Sequence, residues 1–433
     1  MKKSKSPNEM LQECIKDMSD NSWLFVKTPG RDFSRKGKLP FQEILRLILS
    51  MQGKSITHEL LEYFNRSSSV ASSSAFVQKR NKLLPSTMET LFSLFVTRTE
   101  QHKLYKGYRL LAVDGSDFHV PSNKDEPDCF YPGTNGQRPY NLLHLNALYD
   151  MQQRIYVDAV VQKKANESGA LCTMVDRSAI KDSSIVIADR GYESYNNLAH
   201  IIEKGWKFLF RIKDINSSGI ASGFNFSDAV FDLPVSLTLS KKQTNEAKLL
   251  YNDKDHYRFL PQSATFDYLD LGKDILYSLS FRIVRFPLSD DNYEVIITNL
   301  DENEFPPDEL KKLYALRWSI ETSFRHIKFS LGALFFHSNK VEFISQEIFA
   351  ALIMYNLTEL TISLVVLSQN RKYIYRVTFS NAAYVVRQFF LGRVPPPELE
   401  ALLSRFISPI RPDRSFSRKV YSQQLRSFIY RIA

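Results

Sequence analysis

Apolar side chains near the start of the chain recur every three to four positions, which is the spacing of an amphipathic helix. The run 41–49 shows this spacing, and the serines at 67–69 and the pair Pro85-Ser86 mark breaks between further helical stretches. Residues 1–104 are therefore predicted to form a helical N-terminal domain.

From about Tyr108 onward the apolar runs become short and strand-like. Strands are predicted at 110–113, 142–149, 155–161, 185–188 and 206–212, and helices at 167–180 and 195–204. Three strands, a helix, a strand, a helix and a strand is the element order of an RNase H-like core, which is a mixed sheet with helices on its faces. The fold class is therefore predicted to be α/β, with the first strand beside the fourth.

Alternating apolar and polar positions continue past these elements, around 235–239, 275–286 and 293–300. This alternation predicts a β-rich insertion at about 213–292, inside a core domain of residues 105–368. The alternative is a set of edge strands that extend the same sheet.

A long helix is predicted at 306–330, because two prolines and two acidic residues at 306–309 are typical of a helix start. At about 100° per residue, Tyr314, Arg317, Glu321 and Lys328 share one narrow polar stripe at the edge of the core. The alternative is a solvated helix face, on which an i,i+4 ion pair contributes only about 0.2–0.5 kcal/mol. A second stripe is apolar and predicted to be buried, and it contains Leu313, Leu316, Ile320, Phe324, Ile327 and Leu331.

Two of the predicted strands end in an aspartate that is followed by a glycine-containing turn. Asp114 ends the run 110–113, and Asp189 ends the run 185–188. In open α/β sheets, functional residues gather beyond the carboxyl ends of such strands, although a lone aspartate there is more often a turn former. Together with Glu321 they form a set of three carboxylates without thiol or imidazole, which is typical of a site for Mg²⁺ or Mn²⁺.

These residues resemble a known family, the DDE transposases of bacterial insertion sequences, and specifically the IS4 group. The resemblance is carried by Asp114 in Asp-Gly-Ser, by Asp189 in Asp-Arg-Gly-Tyr, and by the spacing Tyr314-x2-Arg317-x3-Glu321-x6-Lys328. It covers roughly residues 105–365.

The resemblance implies an RNase H-like catalytic core in which Asp114, Asp189 and Glu321 are the catalytic residues and the metal ligands. It also implies that Tyr314, Arg317 and Lys328 contact DNA, that the cofactor is Mg²⁺ with Mn²⁺ as a substitute, and that the enzyme cleaves element ends and transfers the strand into target DNA. The implied partners are double-stranded DNA, as terminal inverted repeats and as target, and a second copy of the chain in a homodimer.

Composition agrees with an anionic partner. The 433 residues carry a net charge of +10, and residues 369–433 contain 12 Lys or Arg against 3 Asp or Glu, so that this segment supplies +9 of the total. Aromatic residues, among them Tyr373, Phe389 and Phe416, are interleaved with the basic ones, a pattern that suits nucleic acid and also an ordinary helical subdomain. A basic, helical C-terminal region is therefore predicted at 369–433.

In the N-terminal domain, scattered cations are candidates for DNA contact or for a plain helical cap, and they include Arg31, Arg35, Lys36, Lys38, Lys79 and Arg80.

Several classes of protein are disfavoured. Three widely separated cysteines argue against a disulfide framework and a structural zinc site. The basic start has no apolar block behind it, and the apolar stretch 348–368 is interrupted by Asn356 and Glu359, so neither a signal peptide nor a membrane span is predicted. A bacterial, cytoplasmic and nucleoid-associated protein is expected. Two other functions remain open: a non-transposing DNA-binding protein derived from a transposase, and a structure-selective nuclease on the same core.

Overall fold

The computed structural model describes residues 5–35, 37–133, 138–270, 276–289, 292–367 and 373–410. The described part of the N-terminal region is helical, as predicted. Ser6 and Glu9 cap the first helix reciprocally, and each later helix buries apolar residues against the others or against the core. The helices are α1 (Pro7–Asp20), α2 (Phe41–Ser50), α3 (Ile56–Tyr63), α4 (Ser73–Arg80) and α5 (Thr87–Thr99).

A mixed sheet forms the centre of the molecule. The core elements are β1 (Arg109–Val120), β2 (Phe130–Tyr131), β3 (Tyr140–Asp150), β4 (Ile155–Gln162), α6 (Glu167–Arg177), β5 (Ser184–Ala188), α7 (Tyr195–Glu203) and β6 (Lys207–Ile212). The order β4-β3-β1-β5-β6, with β1, β5 and β6 parallel and the other pairs antiparallel, is that of an RNase H-like core. The predicted fold class and the predicted neighbourhood of the first and fourth strands are confirmed.

Both faces of the central strands are buried, as their continuous apolar runs predict. On β1, Leu110 and Ala112 belong to the apolar core that also contains the N-terminal helices, whereas Leu111 and Val113 belong to the core that contains α6 and α7. The side chain of Asp114 follows the parity of Leu110 and Ala112 and therefore lies on the first of these faces.

The strands of the predicted insertion continue the same sheet. The elements here are β7 (Phe231–Ser240), α8 (Asn245–Leu250), β8 (Tyr257–Phe259), β9 (Tyr277–Ser289) and β10 (Asn292–Thr298). Strand β10 pairs with β6, so the sheet runs on as β6-β10-β9-β7-β8. The structure thus follows the alternative that the sequence left open, in which these strands extend the core sheet.

The predicted long helix is broken into three parts. These are α9 (Pro307–Leu316), α10 (Trp318–Arg325) and a π-helical turn (His326–Ser330). Around Arg317 the backbone forms 3₁₀-type bonds, from the Arg317 N–H to the Tyr314 carbonyl and from the Ile320 N–H to the Arg317 carbonyl. The prediction that Leu316 is buried is wrong: its side chain is 46% exposed, and Arg317 occupies the buried stripe at this step instead.

The remaining elements pack around one long buried helix. They are α11 (Val341–Ser363), β11 (Tyr375–Val377), α12 (Phe379–Phe390), α13 (Pro396–Arg405) and β12 (Ile407–Pro409). Asn356 lies in the middle of α11, and its side-chain amide exchanges two 2.8 Å hydrogen bonds with the backbone N–H and C=O of Tyr156 on β4. Within the described residues, no helix combines the length and the apolar character that a membrane crossing requires. Most of the basic residues predicted to form the C-terminal region, and Phe416, lie outside the described residues.

Candidate active site

The two aspartates that follow buried strands lie at the same level of the sheet. The parallel register pairs Ala112 with Ile187, and extending it by two residues sets Asp114 opposite Asp189. Neighbouring strands are about 4.8 Å apart, so the two carboxylates are held close together by the fold. The predicted proximity of Asp114 and Asp189 therefore has a direct cause in the strand register.

Each aspartate also accepts a hydrogen bond from its own turn. Oδ1 of Asp114 accepts from the N–H of Gly115 at 2.9 Å, and Oδ1 of Asp189 accepts from the N–H of Gly191 at 2.9 Å. These bonds fix one oxygen of each carboxylate in its turn.

Glu321 is joined to this pair by Arg317. The guanidinium donates to Oδ2 of Asp114 at 3.2 Å and to Oε1 of Glu321 at 2.8 Å. The Arg317 residue is only 4% exposed, and its charge lies among the carboxylates. The sequence predicted that Arg317 contacts DNA; in this structure it is an ion-pair partner of two predicted metal ligands.

Burial and charge shape the chemistry of Asp114. Burial raises its pKa to about 6, and the negative charges of Asp189 and Glu321 act in the same direction, whereas Arg317 and the Gly115 N–H oppose the rise. At neutral pH this carboxylate is therefore largely ionised, and Arg317 is the cation that compensates its charge.

Tyr314 and Lys328 lie on either side of this centre. Tyr314 is buried, its ring lies 5.7 Å from the Arg317 guanidinium, and among the described residues its hydroxyl has no hydrogen-bond partner. Lys328, in the π-helical turn, donates through Nζ to the backbone carbonyl of Asp117 at 2.8 Å and lies 5.0 Å from the ring of Phe118. Its half-buried position lowers the pKa of its ammonium group. The four motif residues therefore do not share one exposed stripe.

The donor set fits a hard divalent cation, because it consists of carboxylate oxygens around a partly buried point. No group of three His, Cys, Asp or Glu side chains in the described part of the chain is already arranged as a metal site. The Arg317 guanidinium now pairs with the carboxylates of Asp114 and Glu321. Arg317 would have to move away from them before both could bind a cation.

Three further charged residues lie beside the site and were not predicted as part of it. Glu167, at the start of α6, reaches between the turns that follow Asp114 and Asp189. His144 on β3 binds the side chain of Asp117 through Nδ1 at 2.7 Å. Asp150, at the end of β3, is buried beside Arg109 and bonded to its own turn.

Of the N-terminal cations, Arg80 follows the alternative of a plain helical cap. It is buried and donates to Gln346, Glu347 and the Phe343 carbonyl of α11, so it serves the packing of helices and is inaccessible to DNA. Arg31, Arg35 and Lys38 are exposed, and Lys36 lies outside the described residues.

Comparisons with known proteins show the family of this chain. The profile of a family described as "Transposase DDE domain" matches residues 105–357, a range that contains all six motif residues. The chain is 22% identical, over 415 residues, to the transposase InsG for insertion sequence element IS4 of Escherichia coli (strain K12), which covers 89% of this chain and 86% of that protein. It is also similar to the piggyBac transposase in the cryo-EM structure of its synaptic complex with hairpin DNA, with a TM-score of 0.44, 10% identity, and coverage of 94% of this chain and 84% of the other.

Proposed function

Because this chain belongs to the transposase DDE domain family, and within it to the transposases of the IS4 type, we propose that Asp114, Asp189 and Glu321 are its catalytic carboxylates and hold divalent cations, Mg²⁺ with Mn²⁺ as a substitute. The observation that carries this proposal is the strand register, which sets Asp114 opposite Asp189 while Arg317 links Asp114 to Glu321. Asp114 is related to both others, to Asp189 by the strand register and to Glu321 through Arg317, and would be the ligand that they share.

The reaction is phosphoryl transfer on DNA. Bound divalent cations supply charge stabilisation for the attacking and leaving oxygens of an in-line displacement at phosphorus. Water attacks the phosphorus at an element end, the bond from phosphorus to the 3′ oxygen breaks, and a 3′-OH is released. That hydroxyl then attacks phosphorus in the opposite strand or in target DNA, and a new phosphodiester forms as another P–O bond breaks.

The cationic residues of the motif fit roles on the DNA backbone. Arg317 can offer its guanidinium fork to a phosphate once it leaves Asp114 and Glu321, because the fork binds phosphate and carboxylate with the same geometry. Lys328 carries a point charge at the backbone carbonyl of Asp117, three residues after Asp114 on β1, and Tyr314 carries a buried hydroxyl beside Arg317. These three residues are proposed to hold the DNA strand against the carboxylates.

The proposed substrates are the terminal inverted repeats of an insertion sequence and a target DNA, bound by a homodimer in the bacterial cytoplasm at the nucleoid. The net charge of +10 supports a polyanionic partner.

The test is cleavage of an inverted-repeat end by the purified protein with Mg²⁺. We expect Glu321→Ala and Asp189→Asn to lower the cleavage rate by at least about 10³-fold and to leave the affinity for the DNA end within about threefold, because the lost groups stabilise the transition state. Glu302→Gln, an exposed carboxylate ahead of α9, is the control and should cleave normally.

Three outcomes would contradict the proposal. Normal cleavage by both site variants would show that these carboxylates are not catalytic. Binding of the DNA end by the wild-type protein without any cleavage would favour a non-transposing DNA-binding protein. Cleavage of RNA–DNA hybrids or junctions in preference to repeat ends would favour a structure-selective nuclease.

A further inference from the structure

Glu167 is wedged between the two turns that carry the catalytic aspartates. A Cβ atom placed on Gly115 would lie 2.8 Å from Oε1 of Glu167, and one placed on Gly191 would lie 2.8 Å from Oε2. Each carboxylate oxygen therefore lies against one of the two turns. Only glycine at 115 and 191 leaves room for this approach.

The position matters because the strand ladder stops short of the aspartates. The last backbone pair between β1 and β5 is Ala112 with Ile187, two residues before Asp114 and Asp189. Beyond that pair no ladder hydrogen bond between these strands fixes their separation. Glu167 fills the gap at the level where the separation sets the distance between the two carboxylates.

His144 holds Glu167 in place. The imidazole is 7% exposed, its Nδ1 donates to Oδ1 of Asp117 at 2.7 Å, and its Nε2 lies 3.6 Å from Oε1 of Glu167. Burial acts to lower the pKa of His144, but the two carboxylates outweigh it and raise the pKa to about 9, so the ring is an imidazolium at neutral pH. Among the described residues Nε2 makes no hydrogen bond, so its contact with Glu167 is an ion pair.

Asp117 continues the same connection to the helix motif. Its side chain binds His144, and its backbone carbonyl accepts from Lys328. A series of polar contacts thus runs from Glu167, through His144 and Asp117, to Lys328 in the π-helical turn.

We propose that Glu167 is a positioning residue that fixes the separation of Asp114 and Asp189 for cation binding, and that His144 holds it there. This inference rests on the proposed function, since it assigns Glu167 a role in the same site. Glu167 acts through the backbone of Gly115 and Gly191, and so it contacts the turns of the assigned ligands and is not itself assigned as a ligand. Residues in such positions commonly change metal affinity by about 10–100-fold when they are replaced.

The experiment measures binding of Mn²⁺ to the full-length protein without DNA, by electron paramagnetic resonance of the free ion. Glu167→Gln keeps the length of the side chain and removes its charge, and we expect its Mn²⁺ dissociation constant to rise about tenfold. Glu398→Gln is the matched control, because Glu398 is an exposed acid in the first turn of α13, and its dissociation constant should stay within twofold of wild type.

His144→Gln separates positioning from simple charge. Removing an imidazolium next to a cation site would by electrostatics alone tighten Mn²⁺ binding. If His144 holds Glu167 in place, the same change weakens Mn²⁺ binding, and we expect a rise in the dissociation constant of about fivefold or more. Folding of each variant is checked by thermal unfolding, and Glu167→Asp, which keeps the charge and shortens the reach, replaces Glu167→Gln if that variant does not fold.

The outcomes are distinct. Tighter Mn²⁺ binding by His144→Gln, or binding by Glu167→Gln within twofold of wild type, would overturn the positioning role while leaving the proposed function intact. Failure of the wild-type protein to bind Mn²⁺ at all would overturn both.

Discussion

Arg317 occupies a position that hydrophobic periodicity alone would give to an apolar residue. It lies in the buried stripe between Tyr314 and Ile320, and its guanidinium is compensated by Asp114 and Glu321. A buried charge is tolerated only when it is paired, and here one cation serves two acids. Its removal would leave two adjacent carboxylates uncompensated.

Asp114 gives the protein a defined dependence of stability on pH. Its pKa in the folded state is about 6, against 3.8 for the ordinary side chain, so between these values the folded state binds more protons than the unfolded chain. The free energy of unfolding therefore falls as the pH rises from about 4 to about 6, by roughly 3 kcal/mol from this group. Asp114→Asn, which mimics the neutral acid, should be more stable than wild type at pH 7.5 and about equal at pH 4.

Urea denaturation in the presence of EDTA at a series of pH values tests this difference. Mn²⁺ should stabilise the wild-type protein at pH 7.5 and have a much smaller effect on Asp114→Asn, since the variant lacks the shared ligand. A stability gap that does not change between pH 4 and pH 7.5 would contradict the assigned pKa.

At the scale of elements, the sequence predicted the core well because the core strands follow simple rules. Continuous apolar runs identify strands buried on both faces, and the order of the elements then limits the topology. The sequence shows that each of the two runs ends at an aspartate, and the parallel register of the two strands sets these aspartates opposite each other. Asp114 and Asp189 could therefore be predicted as neighbours.

The helix motif was predicted less well, because periodicity assumes a regular helix. The 3₁₀-type step at Arg317 and the π-helical turn at 326–330 shift the later side chains, so that Leu316 is exposed and Lys328 faces Asp117. Glu167 and His144 could not be predicted at all, because they meet the site only through tertiary packing of α6 and β3. Alternation likewise identified the strands of the predicted insertion and could not tell which strand they pair with.

The contact between α4 and α11 offers a test of a buried ion pair. Arg80 is 1% exposed, and its NH1 lies 2.7 Å from Oε1 of Glu347. Burial acts to raise the pKa of Glu347, but the positive charges of Arg80 and His337 outweigh the burial and lower this pKa to about 2. Arg80→Ala should lower the free energy of unfolding by about 3–5 kcal/mol, because the buried carboxylate loses a partner. Urea denaturation is the measurement.

Lys79→Ala is the charge-matched control for Arg80→Ala. Lys79 is the preceding residue, and its described contact is with the ring of Phe33 at 5.1 Å, so its loss should cost less than about 1 kcal/mol. Equal effects of the two substitutions would show that the buried pair makes no special contribution.

At the scale of the whole molecule, the charge of the chain is concentrated toward its C-terminus. Residues 411–433 contain six Lys or Arg and one Asp, a net charge of +5. This segment lies outside the described residues, and its predicted contact with nucleic acid stays a prediction.

The dependence of DNA affinity on salt concentration tests it. Each phosphate contact adds about −0.9 to the slope of log K against log salt concentration. Replacing the six basic residues of 411–433 by glutamine should make the slope less negative by about 2 or more and weaken binding at low salt, without changing the thermal unfolding of the protein. An unchanged slope would mean that this segment does not contact DNA phosphates.

The two hydrogen bonds between Asn356 and Tyr156 determine how α11 is placed against the sheet. The amide side chain completes a backbone pair as a strand would, and only one rotation and one height of α11 allow both bonds at once. A shift of α11 along its axis by one turn would leave the N–H and the C=O of Tyr156 buried without hydrogen-bond partners. The two bonds therefore fix the rotation and the axial position of α11 relative to the sheet. The N-terminal helices belong to the same core as α11, so their position relative to the aspartates is fixed as well.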